Sequence, residues 1–117
     1  MNNDLMPPDP TSYRQIKVLG EYVNIEWLPQ RVLPDCYGQT QVEHRTVQLR
    51  NNLDGMQCLD TFIHELNHYI SERCSLELTE QQVHNLGMAW STIFYDNPEL
   101  LGFIAERMTE EDERRIR

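Results

Sequence analysis

From Met56 to Cys74 the chain contains neither proline nor glycine. At 100° per residue, Leu59, Phe62, Ile63, Leu66 and Ile70 fall on one broad face. The pattern predicts an amphipathic helix, and a helix of that length dictates how the rest of a small chain must pack. His64 and His68 fall close together on roughly the opposite side, beside Thr61, Asn67 and Ser71. They lie one turn apart because residues i and i+4 are neighbours on a helix surface. Being off the apolar stripe, they are not accounted for as buried core histidines.

His64-Glu65-x-x-His68 is the H-E-x-x-H pattern. Two imidazoles on one helical face can bind a single Zn²⁺ from one side, and Glu65, one step round, can take a proton from a metal-bound water. Zinc lowers the pKa of such a water to about 7, which makes hydroxide available at neutral pH. This is the chemistry of a zinc hydrolase. The competing reading of so short a pattern is a pair of solvated histidines with a glutamate between them by chance.

A length of 117 residues suits one domain with one core. The formal net charge of −9 argues against nucleic acid as a partner, since phosphates would be repelled and no basic stripe is present. It weakly favours a basic partner or substrate. No apolar run is long enough to span a membrane. Met1-Asn2-Asn3-Asp4 lacks the features of a signal peptide, so a cytoplasmic location is expected. The odd count of cysteines, Cys36, Cys58 and Cys74, disfavours a disulfide scaffold and suits reduced thiols with structural roles. Cys74 stands where a longer zinc pattern has its third histidine. That pattern needs a helix-breaking glycine at the position of Ser71, so Cys74 is expected to point away.

Residues 1–12, with Pro7, Pro8 and Pro10, read as a disordered or extended arm, followed by one domain over 13–108 and a charged tail over 109–117. Ile16 to Leu28 reads as β structure, with Val23, Ile25 and Trp27 alternating against Asn24 and Glu26. Gly20-Glu21 is a candidate for a tight hairpin turn, with a single bulged strand as the alternative. Tyr37-Gly38-Gln39 is a turn candidate after the loop bracketed by Pro29 and Pro34. His44 to Arg50 predicts a strand with one polar face, as suits a sheet edge. Asn52 and Asp54 are both available to cap the histidine helix. Thr79 and Gln82 have capping-box spacing, and they open a second helix whose stripe of Val83, Leu86, Gly87, Trp90, Ile93 and Phe94 reads as core packing. Asn97-Pro98 opens a third helix with Leu100, Leu101, Ile104 and Met108 as its stripe. The fold class expected is α+β, a small twisted sheet packed on the histidine helix and followed by two further helices.

Two histidines leave a zinc site incomplete, because a catalytic site commonly has three protein ligands and a water. Glu77, Glu80, Gln82 and His84 are the candidates in the right part of the chain. Glu80 lies at the edge of the second helix's stripe, facing the seam between two packed helices, and Gly87 two turns on would allow a close approach. Glu80 is therefore the expected third ligand and His84 the runner-up or a supporting group. An acid in a helix's first turn is also favoured by the macrodipole without any metal.

Thr61-Phe62-Ile63-His64-Glu65-Leu66-Asn67-His68, then Leu78-Thr79-Glu80-Gln81-Gln82-Val83 and Asp96-Asn97-Pro98-Glu99-Leu100, resembles the gluzincin branch of zinc metallopeptidases. More closely, it resembles small phage-encoded metallopeptidases similar in pattern to the ImmA/IrrE peptidases. The resemblance runs from about Leu59 to Leu100. It implies a minimal zincin-like core, with His64, His68 and Glu80 as metal ligands and Glu65 as general base. It also implies a peptide substrate paired to an edge strand, by position around His44–Arg50, in a bacterial or phage-infected cytoplasm. Where gluzincins commonly carry an aspartate one turn after the ligand glutamate, this chain has His84.

Hydrolysis also needs a donor for the developing oxyanion, and Tyr69, Tyr95, His84 and Arg45 are all available without being placed by spacing. Two functions are therefore carried forward. One is a zinc-dependent metalloendopeptidase. The other is a non-catalytic zincin-like acidic module that binds a host or partner protein.

Overall fold

The computed structural model describes residues 13–116, with side chains described as far as Thr109. The predicted N-terminal arm lies outside the described residues. The elements are β1 (Gln15–Val18), β2 (Glu21–Leu28), β3 (Gly38–Gln41), a 3-10 turn (Val42–His44), β4 (Thr46–Arg50), α1 (Gly55–Arg73), α2 (Glu80–Asp96) and α3 (Leu100–Ile116). This is the expected α+β class: a mixed four-stranded sheet with three helices.

Strand order is β1-β2-β4-β3. β1 and β2 are antiparallel, β2 and β4 parallel, and β3 and β4 antiparallel. Alternation on β2 sends Val23 and Ile25 inward, where they meet Val47 and Leu49 of β4 and Tyr69 of α1. Val23, Val47, Leu49 and Tyr69 are fully buried. Burying an aliphatic side chain of this kind contributes about 1.5–3 kcal/mol. Phe62 and Leu66 of α1 and Trp27 of β2 close over this cluster from its margins.

Four expectations are corrected. The β1–β2 turn uses Leu19 and Gly20, not Gly20 and Glu21; both have positive φ, 52° and 83°, which a two-residue turn matched to strand twist requires. The strand expected at the sheet edge over His44–Arg50 is internal: β4 runs between β2 and β3, and His44 belongs to the preceding 3-10 turn. Its polar residues are satisfied sideways, not by solvent. Gln48 donates to Glu26 at 3.2 Å and pairs with Gln39, while Arg50 donates to the carbonyls of Leu33 at 2.9 Å and Pro34 at 3.0 Å. The edge belongs instead to β3, which contains the residues expected to turn. Gly38 permits this, because a Cβ there would lie 2.9 Å from the carbonyl oxygen of Gln48 and 3.1 Å from Thr61 of α1.

The fourth correction concerns α2. Its buried line is Val83, Gly87 and Ser91, which meets α1, whereas Leu86, Trp90 and Ile93 are exposed. The apolar face of α2 is wider than the line that α1 covers. On α1 itself the most buried residues include Thr61, Glu65 and Tyr69, spaced four apart toward the sheet. Among the described residues no helix is long and apolar enough to cross a membrane.

Candidate metal centre

α1 carries His64 and His68 on the side that looks toward α2 and the end of β3. α1 ends at Arg73, and Ser75 takes a left-handed conformation, φ 54°, that lets the amide of Leu76 bond back to the carbonyl of Ser71 at 2.9 Å. The link is then held to α1 by the Leu78 amide, which donates to Ser71 Oγ at 3.0 Å. Thr79 caps α2 as expected: Thr79 Oγ1 accepts from the Gln82 amide at 3.1 Å, and Gln82 Oε1 accepts from the Thr79 amide at 2.9 Å. Capping makes Glu80 the first residue of α2 and aims it back at the histidines.

The Nε2 atom of His64 lies 2.7 Å from Glu80 Oε1, that of His68 lies 3.0 Å from Glu80 Oε2, and the two Nε2 atoms are 3.2 Å apart. The donor atoms of all three side chains fall within 4.8 Å of one another. Zinc with tetrahedral ligands at about 2.0–2.1 Å needs neighbouring donors roughly 3.3 Å apart. Two imidazole nitrogens and a carboxylate at these separations are a donor set and a spacing that fit that ion.

The structure also separates the alternatives for the third position. Gln82 is engaged in the cap. Glu77 lines a neighbouring groove with Ser71, Ser75 and His68. His84 has its ring centre 6.3 Å from that of His64 and borders the cleft, but it is not one of the converging donors. Cys74 is exposed at the end of α1 and is likewise outside the group.

Glu65 is buried, and its carboxylate is addressed by Thr40 of β3, whose Oγ1 lies 2.7 Å from Oε1. Sequence reasoning does not find Thr40. It stands in a polar stretch, Gly38-Gln39-Thr40-Gln41, that has no apolar alternation to mark a strand. Of the four donors offered for an oxyanion, only His84 lines the cleft. Tyr69 is in the core with its hydroxyl 3.3 Å from Glu21, Arg45 pairs with Glu21 at 3.3 Å, and Tyr95 is exposed.

The cleft itself encloses about 710 Å³ between β3 and the α1–α2 seam. Asp60, Glu65, Glu72 and Glu80 line it, and among the described residues no lysine or arginine does, so its field favours a cation. No family model, no curated protein and no solved structure matches the chain.

Proposed function

We propose that the chain is a zinc-dependent metallopeptidase that cleaves a peptide bond in a protein substrate. The observation that carries this reading is the convergence of His64, His68 and Glu80 beside a buried glutamate that a neighbouring strand holds in place. His64 and His68 would hold the metal from α1 and Glu80 from α2. Zinc, when bound, supplies Lewis-acid polarisation and lowers the pKa of water to about 7.

Glu65 would accept the proton of the attacking water and return it to the leaving amine. The Thr40 hydroxyl would keep the carboxylate turned toward the reacting atoms. β3, the outer strand on this side of the sheet, offers unpaired backbone groups along which an extended peptide could add. Of the four donors named from the sequence, His84 lines the cleft and could donate to a developing negative charge.

The test begins with metal content, using protein purified without a histidine tag or added metal. Near-equimolar zinc in the wild type, lost in His64→Ala and weakened in Glu80→Ala, is the expected result. Glu65→Gln should keep the metal and lose hydrolysis; proteolysis retained in that variant would remove Glu65 as the base. A folded wild type that takes up no added zinc would end the peptidase reading and leave an acidic binding module in its place.

A further inference from the structure

The outer surface of α2 and α3 is unlike the rest of the chain. A quarter of all residues are charged, yet Val83 to Tyr95 contains no Asp, Glu, Lys or Arg, and neither does Leu100 to Ala105. A helix without charge on any side is normally enclosed. Here α1 encloses only the line of Val83, Gly87 and Ser91. Leu86, Trp90 and Ile93 of α2 and Leu101, Ile104 and Met108 of α3 are 39–63% exposed.

α3 is the more telling case. Among the described residues α1 packs closely on both α2 and the sheet, while α3 has no comparable partner. The Cα radius of gyration, 16.0 Å, exceeds the roughly 13 Å of a compact chain of about 110 residues. An isolated helix of this length is marginal in water and normally owes its stability to packing of its apolar face.

We infer that α2 and α3 form the interface of a two-fold homodimer in which α3 of each copy lies on the exposed stripe of its partner's α2. Among the described residues α3 does not pack closely on its own α2, so one chain leaves two stripes uncovered. The exposed stripes run over Leu86 to Ile93 of α2 and Leu101 to Met108 of α3, and reciprocal packing covers both at once. The six side chains named above expose on the order of 600 Å², most of the roughly 800 Å² that each partner buries in a standard interface.

Charge selects a second copy over a basic protein. A net charge of −9 makes two copies repel one another at most orientations, and an uncharged face is where that repulsion is least. A basic partner would need several acidic groups on this face; Val83 to Tyr95 and Leu100 to Ala105 have none, and only Met108 lies beside charge, next to Glu106 and Arg107. The inference is independent of any metal.

Sedimentation equilibrium from low micromolar to submillimolar protein tests it. The wild type should sediment at twice the 13.9 kDa chain mass. Trp90→Glu and Leu101→Glu should each return it to monomer, raising the dissociation constant by about tenfold or more. Leu19→Glu, at an equally exposed position on the β1–β2 turn, should leave the dimer intact. A cooperative thermal transition checks that each variant folds; if a glutamate prevents folding, Trp90→Gln and Leu101→Gln are read the same way. A wild type that stays monomeric throughout, a dimer that survives both interface substitutions, or an assembly that grows beyond two copies would overturn the inference.

Discussion

Thr40 Oγ1 stands 2.7 Å from Glu65 Oε1 and 3.0 Å from the Glu65 carbonyl oxygen, so a single hydroxyl ties the edge strand to the buried glutamate. The hydroxyl carries one proton, and the carboxylate is the nearer and stronger acceptor. Thr40→Val keeps the shape and removes the donor. A hydrogen bond to a charged group is worth about 1.5–3 kcal/mol, so hydrolysis should fall by roughly one to two orders of magnitude. Zinc content should stay the same, and Thr40→Ser should restore the rate. Peptide hydrolysis assayed beside metal content checks this; a full rate in Thr40→Val would show that Glu65 needs no such support.

Gly38 and Gly87 both sit where elements meet, and their substitution should have opposite signs. At Gly38 a methyl group would come within 2.9 Å of the Gln48 carbonyl oxygen, which is backbone in the paired strand and cannot swing aside. Gly38→Ala should force β3 away from β4 and α1, with the 1–3 kcal/mol cost typical of overpacking. Chemical denaturation measures the loss, and the same displacement of Thr40 should lower hydrolysis.

At Gly87 a methyl group would lie 3.6 Å from the Cα and amide nitrogen of His64 and 3.7 Å from Asp60 Oδ1, an ordinary contact distance. The close approach of α2 to α1 therefore leaves room for alanine. Helix propensity then dominates, and Gly87→Ala should stabilise the fold by about 0.8–1 kcal/mol with zinc content unchanged. A lower melting temperature would mean that the seam is tighter than these distances indicate.

Cys58 lies with Trp27, Leu53 and Phe62 around an apolar hollow at the start of α1. Burial raises its thiol pKa above the usual range, and the nearby Asp54 carboxylate adds to the rise. The thiolate is the reactive form, so a raised pKa means less of it at mildly alkaline pH. Iodoacetamide should therefore modify exposed Cys74 well before Cys58, and the Cys58 rate should still be climbing above pH 9, the ordinary thiol value. Peptide mapping of a pH series reads both rates.

The residues that sequence reasoning reaches are those whose signal is local. His64, His68 and Glu65 are placed by helical spacing alone, and Glu80 by its place at the edge of α2's stripe, in a helix whose start is marked by a capping box with both hydrogen bonds made within four residues. What it misses depends on contacts distant in sequence. β3 has no apolar alternation and exists because Gly38 lets it lie against β4. The polar face of β4 suggests an edge, but its side chains are matched by Glu26 and Gln39 and by the loop carbonyls of Leu33 and Pro34. On α2, apolar periodicity marks which side avoids water without showing how much of it α1 covers. Hence Trp90 reads as core and stands 47% exposed.

Thr79 offers a way to disturb the proposed metal centre without touching a proposed ligand. Its side chain holds the first turn of α2, and Glu80, the first residue of that turn, reaches both histidines while being 71% exposed itself. Among the described residues the partners of its carboxylate are the two histidines, so its aim depends on the cap. Thr79→Ala should cost about 1 kcal/mol of stability, as loss of an N-cap commonly does. Because the frayed turn carries Glu80 with it, zinc affinity should fall as well, toward that of Glu80→Ala. Thr79→Ser keeps the accepting hydroxyl and should retain both properties. Zinc affinity measured by competition with a chromophoric chelator, beside a denaturation curve, separates the two effects. A stability loss in Thr79→Ala with unchanged affinity would mean that the two histidines bind the metal without help from α2.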